Sequence, residues 1–367
     1  MKDQSVFAVR RARVLPLLKE KLAENKEATA EAFLTTALPN IRYLTGFTGS
    51  NAALLITPLR AILFTDPRYR SQSAQECDCH IRVAKGPLAK TIASVVTRLR
   101  LRSLAFELNR VSYEDHQQLA ELLKGVQLKA IGGLVETLRM VKSADEIATI
   151  RASVNLNSAA LEQALRHFKP GMAEVDLAAE IDYRMRLLGA DGTAFDTIVA
   201  SGSRSALPHA HPTAHPINCN ELLLIDMGAT VAGYSSDMTR TYVAGKASSK
   251  VRRMYEAVLD SQLTAIALLK PGMGCGKLDR AVRDVLRGYG FDKLFMHSTG
   301  HGLGLEIHER PRIGRKEAVK LEAGMTITIE PGVYEEGTGG IRIEDTVLVT
   351  ERGCEVLTPT KKELVVL

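Results

Sequence analysis

"KPGMAEVDLAAEIDYRMRLLGAD" at residues 169–191 and "KPGMGCGKLDRAVRDVLRGYGFD" at residues 270–292 read as two copies of one unit. Each starts with Lys-Pro-Gly-Met and continues with helical periodicity. A long helix-like segment precedes each, and β-like runs rich in glycine and polar residues follow. Two related units of about 100 residues indicate an internal duplication. Two copies are too few for a solenoid. They predict two halves packed about a pseudo-twofold axis, with the cleft between them as the place for a site.

Outward from the repeat, "SADEIATIRASVNLNSAALEQALRHF" (143–168) places Ser143 and Glu146 in capping-box spacing before a long helical run. Residues 1 to about 130 have another character. Short β-like runs ("EAFLTTA", "NAALLIT", "RAILFT", "HIRVA", "RSLAFEL") alternate with helix-like stretches ("GPLAKTIASVVTRLR", "SYEDHQQLAELLK"). That pattern predicts a small α/β domain over 1–132, followed by the duplicated domain over 133–367, an α+β chain overall.

Composition excludes several classes. At 367 residues, with 45% hydrophobic and 25% charged residues, the chain has the make-up of a soluble globular protein. No apolar run reaches membrane-spanning length. The start, "MKDQSVFAVRRARVLPLLKEKL", is interrupted by basic residues and reads as an amphipathic first helix rather than a signal peptide. The net charge of +6 is spread along the chain among 42 acidic residues, with no aromatic interleaving, which argues against a nucleic-acid partner. Five scattered cysteines imply reduced thiols and a cytoplasmic home, and the "CDCH" at 77–80 lacks a second cysteine pair to make a zinc site.

The chemistry is suggested by acids in the wrong places. Asp226 interrupts the apolar "LLLIDMGA", Glu330 ends "TITIE" and Glu344 follows "IRI". Burying an ionised carboxylate costs several kcal/mol unless it is compensated. Several strands each carrying one acid suggest a shared compensating charge, a cation or a pair of them. Taken singly, each has a plainer reading: Asp226 as a turn residue, Asp237 as a turn cap, Glu344 as the salt-bridge partner of Arg342 two residues before it. Nearby, "MHSTGHGLGLEIHE" holds His297, His301 and His308. Its glycines disfavour a helix, and the chain has no H-E-x-x-H, so this is not a helical zinc motif. One histidine among four carboxylates makes an oxygen-rich site, suited to Mn²⁺ or a similar hard ion, with Co²⁺ or Zn²⁺ as further candidates.

With these motifs, the chain resembles the pita-bread metallopeptidases, in the branch of proline dipeptidase and Xaa-Pro aminopeptidase. The resemblance extends to the N-terminal "NIRYLTGFTGSNAALLIT" and "TDPRY". It implies a site of two divalent metal ions, with Asp226 on one, Asp237 and Glu344 bridging both, and His301 and Glu330 completing the second. It further implies that Glu330 moves the proton of the attacking water, that His308 stabilises the oxygen of the scissile carbonyl, and that His209 and His297 line the cleft. His211 and His215 have no counterpart and read as loop residues. Arg312, or else Arg342, would hold the carboxylate of a dipeptide substrate. Phe195 would contact substrate, and Tyr43 of a neighbouring subunit would cap the cleft of a homodimer. The expected activity is hydrolysis of the Xaa-Pro bond in dipeptides, with an Xaa-Pro aminopeptidase as the alternative. A pseudo-peptidase that only binds, a metal-free creatinase-like hydrolase and a methionine aminopeptidase fit less well, given the intact acids and the extra N-terminal domain.

Overall fold

The computed structural model describes residues 5–367. The chain divides into two compact units, one ending at Arg139 and the other beginning at Met140.

The first unit is built on a six-stranded mixed sheet. Its strand order is His80–Val83, Ala61–Thr65, Ala52–Ile56, Ala32–Thr35, Ser103–Glu107 and Gln127–Ile131. The three strands Ala52–Ile56, Ala32–Thr35 and Ser103–Glu107 are buried at every position. Their sequences are correspondingly near-continuous apolar runs, as strands covered on both faces require. The edge strands show partial or alternating exposure. One of them, "QLKAI" at 127–131, is a strand that the sequence reading did not include, because its polar alternation is weak. The expected first helix is two helices, Val6–Ala12 and Val14–Glu24. Pro16 has no N–H to donate back to Ala12, and its ring would crowd that carbonyl, so one continuous helix is disfavoured there.

In the second unit the duplication is visible in the hydrogen bonds. Helices Ala144–Leu165 and Glu174–Leu187 pack together in the first half, as do Ser249–Leu268 and Cys275–Tyr289 in the second. Ser143 caps the first of these through a complete capping box with Glu146. Both Lys-Pro-Gly-Met turns place their glycine, Gly171 or Gly272, at positive φ, where only glycine is unstrained. The turns are then tied down alike. Gly171 and Glu174 donate to the carbonyls of Ile217 and His215, while Gly272 and Cys275 donate to those of Leu321 and Val319.

The helices cover sheets whose strands supply the site. Glu221–Met227 pairs with Ile198–Ser201 and Met238–Ala244 in a three-stranded sheet. In the second half, Gly300–Gly302, Thr326–Ile329 and Asp345–Val349 lie in a five-stranded sheet, beside the hairpin Gly332–Glu335 with Gly339–Arg342. Among the described residues, no helix is long and apolar enough to cross a membrane.

Candidate metal centre

The register of the strands brings the acids together. Asp226 lies opposite Thr239 on the paired strand, two positions beyond Asp237. The Glu344 amide donates to Thr239 O (3.1 Å), and Thr239 Oγ1 donates to Glu344 Oε2 (2.7 Å), which seats Glu344 beside the same pair of strands. From the other half, the Glu330 amide donates to Thr299 O (2.8 Å) and the His301 amide to Thr328 Oγ1 (3.1 Å). His301 sits between glycines because the chains approach too closely for side chains. A Cβ on Gly300 would lie 2.0 Å from Thr328 O, and one on Gly302 would lie 2.2 Å from Arg310 O.

Asp237, His301 and Glu344 each present a ligand atom within 4.8 Å of the others. His301 Nε2 is 3.5 Å from Asp237 Oδ2 and 3.4 Å from Glu330 Oε1. The second ring nitrogen, Nδ1, lies 3.0 Å from Gly302 O and can reach it only as an N–H donor. That tautomer leaves the Nε2 lone pair facing the carboxylates, the arrangement a metal-ligating imidazole needs.

The electrostatics are those of a site lacking positive charge. Burial, and then the charges of Glu344, Asp226 and Glu330, push the Asp237 carboxyl well above the usual carboxylate range. Glu344 is raised by burial, Glu330 and Asp226, against a lowering by Arg342 and the Thr239 hydroxyl. Glu330 is raised by burial to about 7, with Arg342 opposing the rise. Asp226 Oδ1 is buried and has no hydrogen-bond partner. An orphaned carboxylate oxygen, mutually repelling acids and a correctly turned imidazole together fit hard divalent cations.

Arg342 is the one guanidinium among these acids, and it is committed inward. It donates to Asp226 Oδ2 (2.6 Å), Tyr334 Oη (2.6 Å), Thr239 Oγ1 (2.9 Å) and Pro208 O (3.2 Å). Its partner is therefore Asp226 rather than Glu344, and these bonds take up four of its five N–H groups. Arg312 differs. It is exposed, and it lies directly opposite His301 in the antiparallel pairing, which puts the two side chains on one face.

Two further histidines lie beside the cluster, His297 near Glu330 and His308 against His301. His297 Nδ1 donates to Ser298 O (2.8 Å), and Nε2 accepts from Tyr334 Oη (2.9 Å). Burial, then the Arg342 charge, lowers its pKa to about 4, so it is neutral at pH 7. The His308 ring is exposed and meets His301 edge-on at 4.4 Å; partial desolvation and then the His301 charge lower its pKa. His209 is exposed, and its charge is felt at both His297 and His308. His211 and His215 lie in the following loop, where their carbonyls serve Arg204 and Glu174. The Phe195 ring lies over Gly228, two residues after Asp226. Tyr43 is part of the core of the N-terminal unit. It is 3% exposed, donates to Leu138 O and carries the Arg10 guanidinium over its ring at 4.2 Å.

Three residues that the sequence reading did not single out support the site: Thr239, Thr328 and Tyr334. Thr328 Oγ1 touches both His301 N and Glu330 Oε1. A signal was present in "TITIE", where a strand's period of two places Thr328 on the face of Glu330.

An N-terminal α/β unit followed by a duplicated domain with an acid-and-histidine centre describes a metallohydrolase. The chain belongs to metallopeptidase family M24: that family matches residues 148–351, and the creatinase/prolidase N-terminal domain matches residues 17–141. An uncharacterised peptidase of Bacillus subtilis (strain 168) is 38% identical over 92% of this chain and 96% of its own. An Xaa-Pro dipeptidase of Pyrococcus horikoshii is 36% identical over 91% of this chain and 94% of its own. Among solved structures, an Xaa-Pro dipeptidase from Bacillus anthracis superposes with a TM-score of 0.93 at 35% identity, covering 97% and 100% of the two chains. An X-Pro aminopeptidase from Thermotoga maritima MSB8 superposes at 0.87 and 36% identity, covering 92% and 98%.

Proposed function

We propose that this protein is a metal-dependent Xaa-Pro dipeptidase. The observation that carries the dipeptide reading is the register of Arg312. Arg312 is exposed and pairs in register with His301, on the same face of the sheet, from where its guanidinium can receive the free carboxylate of a C-terminal proline by paired hydrogen bonds. Support for Xaa-Pro cleavage comes from the dipeptidases at 36% and 35% identity.

In this reading Asp226, Asp237, His301, Glu330 and Glu344 hold two divalent cations, Mn²⁺ first given the oxygen-rich donor set, with Co²⁺ or Zn²⁺ as substitutes. When bound, the cations supply Lewis acidity toward water and toward the amide carbonyl. The chain's own residues do the rest. Glu330 takes the proton of the attacking water and returns it to the leaving proline nitrogen. The His308 N–H donates to the carbonyl oxygen as negative charge builds there, a bond stronger in the transition state than in the ground state. His297, neutral and oriented by Tyr334, lines the cleft with His209 and Phe195. An Xaa-Pro amide nitrogen has no hydrogen to grip, so recognition must come from the ring and the carboxylate.

A homodimer of cytoplasmic location completes the proposal. The five free thiols accord with a reducing compartment, and sedimentation of the purified protein tests the dimer. The second reading, an Xaa-Pro aminopeptidase, is favoured by the similarity to the Thermotoga maritima enzyme. Chelator-stripped protein reloaded with Mn²⁺, assayed on Ala-Pro beside Ala-Pro-Ala, decides between them. Metal-dependent cleavage of the dipeptide is expected, preference for the tripeptide makes the protein an aminopeptidase, and cleavage of neither ends the proline assignment.

A further inference from the structure

The segment that carries His297 and leads into His301 is gripped from behind by a buried ion pair. Asp279 and Arg283 lie one turn apart on helix Cys275–Tyr289, with Arg283 Nε donating to Asp279 Oδ2 (2.8 Å). Arg283 also donates from Nη1 to Phe295 O (3.0 Å) and from Nη2 to His297 O (2.6 Å). Asp279 Oδ1 accepts from Thr299 Oγ1 (2.9 Å), and Thr299 O in turn accepts the Glu330 amide. The guanidinium stands 4.3 Å over the Phe295 ring, which meets the His297 ring edge-on at 4.9 Å. Two side chains thus reach His297 through its carbonyl and through its aromatic neighbour, and reach Glu330 through one intervening residue.

Stability alone is a weak reason for such a pair. Asp279 is wholly buried and Arg283 is 7% exposed, and burying two charges offsets most of their attraction, so an apolar pair of similar size often does as well. The duplication sharpens the point. At the corresponding places of the first repeat, Ala178 and Asp182 stand where the second has Asp279 and Arg283. Asp182 still accepts from Thr197, the threonine that leads into strand Ile198–Ser201, but it is an acid where the second repeat has Arg283, so the corresponding position has no guanidinium to grip the segment. The arginine occurs in the half that carries His297.

We infer that Asp279 and Arg283 are positioning residues for hydrolysis, holding 295–299 so that the His297 ring and Glu330 keep their places beside the acid cluster. The inference rests on the site reading given above. It has a further structural consequence. Arg283 and Asp279 line a cavity of about 470 Å³ open to solvent, with Arg280, Arg287 and Arg315 also in its lining. A small guanidinium ion can therefore reach the space that an Arg283→Ala substitution would leave.

The test uses Arg283→Ala, Arg283→Lys and Asp279→Asn in the full chain. It measures Ala-Pro kinetics at equal bound metal, thermal unfolding, and the ring ¹⁵N signals of His297 identified by their loss in His297→Gln. For Arg283→Ala the expectation is a kcat about 10–100-fold lower with KM within about threefold, displaced His297 ring signals, and recovery of about tenfold in millimolar methylguanidinium. Arg283→Lys should lie between it and the wild type. Unchanged kcat per folded, metal-loaded molecule with unchanged His297 signals would overturn the inference and leave the pair as packing alone. Loss of activity wholly explained by lost metal or lost fold, with no methylguanidinium recovery, would overturn it too. Should Arg283→Ala not fold, Arg283→Lys and Asp279→Asn decide by the same readings. If the wild type does not cleave Ala-Pro, the functional reading fails, while the His297 signals still test the positioning.

Discussion

Glu344 and Asp345 are neighbours in sequence, both buried, and they face opposite ways into opposite electrostatic worlds. Asp345 accepts from Arg240 Nη2 (2.7 Å), Gln262 Nε2 (2.7 Å) and Lys362 Nζ. Burial raises its carboxyl, but Arg240 and Lys362 more than reverse this and hold it below the usual range. Glu344, one residue earlier, faces Asp226, Asp237 and Glu330, and is raised well above that range. The protein thus supplies cations from its own side chains on one side of the chain. On the other it assembles acids and withholds all cations but Arg342. The first arrangement is architecture, and the second is the one that fits the divalent metal of the proposed function.

The most severe way to probe this contrast is Glu344→Gln. Activity on Ala-Pro should fall by about 10³-fold or more, because a charge for the metals is removed. Yet the metal-free protein should melt at a higher temperature than the metal-free wild type, because repulsion is relieved. A lower melting temperature would mean that Glu344 is structural, like its neighbour. The mirror substitution, Asp345→Asn, leaves the buried Arg240 and the partly buried Lys362 without their counter-charge, and should cost about 3–5 kcal/mol of stability in denaturant unfolding. Activity per folded molecule should change far less.

Acidity offers a gentler test with opposite signs for the two faces. Asp237, Glu330 and Glu344 have folded-state pKa values above their unfolded ones. Their contribution is fully present below about pH 4.5 and is lost as pH rises through the folded values, about 7 for Glu330. His297, His301 and His308, lowered by burial, act in the opposite sense below about pH 6.5, so chelated protein should lose melting temperature from about pH 7 to about pH 8, and Mn²⁺ should flatten that slope. Asp345 behaves inversely: its contribution is present above about pH 4 and is lost as pH falls through its lowered value. A chelated protein whose melting temperature rises from about pH 7 to about pH 8 would contradict the acid-cluster account.

Arg312→Met tests the specificity side of the site. KM for Ala-Pro should rise about 10-fold or more, as for a lost charged hydrogen bond, with little change for Ala-Pro-Ala. Equal effects on both substrates would remove Arg312 from the carboxylate role. The smallest effect concerns a carboxylate satisfied in a third way. Glu146 accepts the Ser143 amide and the Tyr234 hydroxyl. Ser143→Ala removes only the other arm of that capping box, so it should cost about 1 kcal/mol in unfolding, without altering kinetics.

Much of this was legible from local pattern. The two Lys-Pro-Gly-Met turns, the Ser143 capping box and the apolar strands are local features, set by φ preference, side-chain capping and periodicity within a few residues. The oddness of Asp226, Glu330 and Glu344 was legible too, since a charge within an apolar strand is a local contradiction. What no local pattern carries is partnership across the chain. Arg342 sits two residues from Glu344 yet pairs with Asp226, 116 positions away. Tyr43 turns into its own core, and Arg283 reaches across to the His297 carbonyl. Glu344 and Asp345 look alike in sequence, as two consecutive acids. The sequence by itself determined that strands here would carry buried charge and that helices would repeat about them. Only the tertiary structure decided which acid meets cations and which meets acids, because a buried carboxylate's state depends on neighbours brought by other strands.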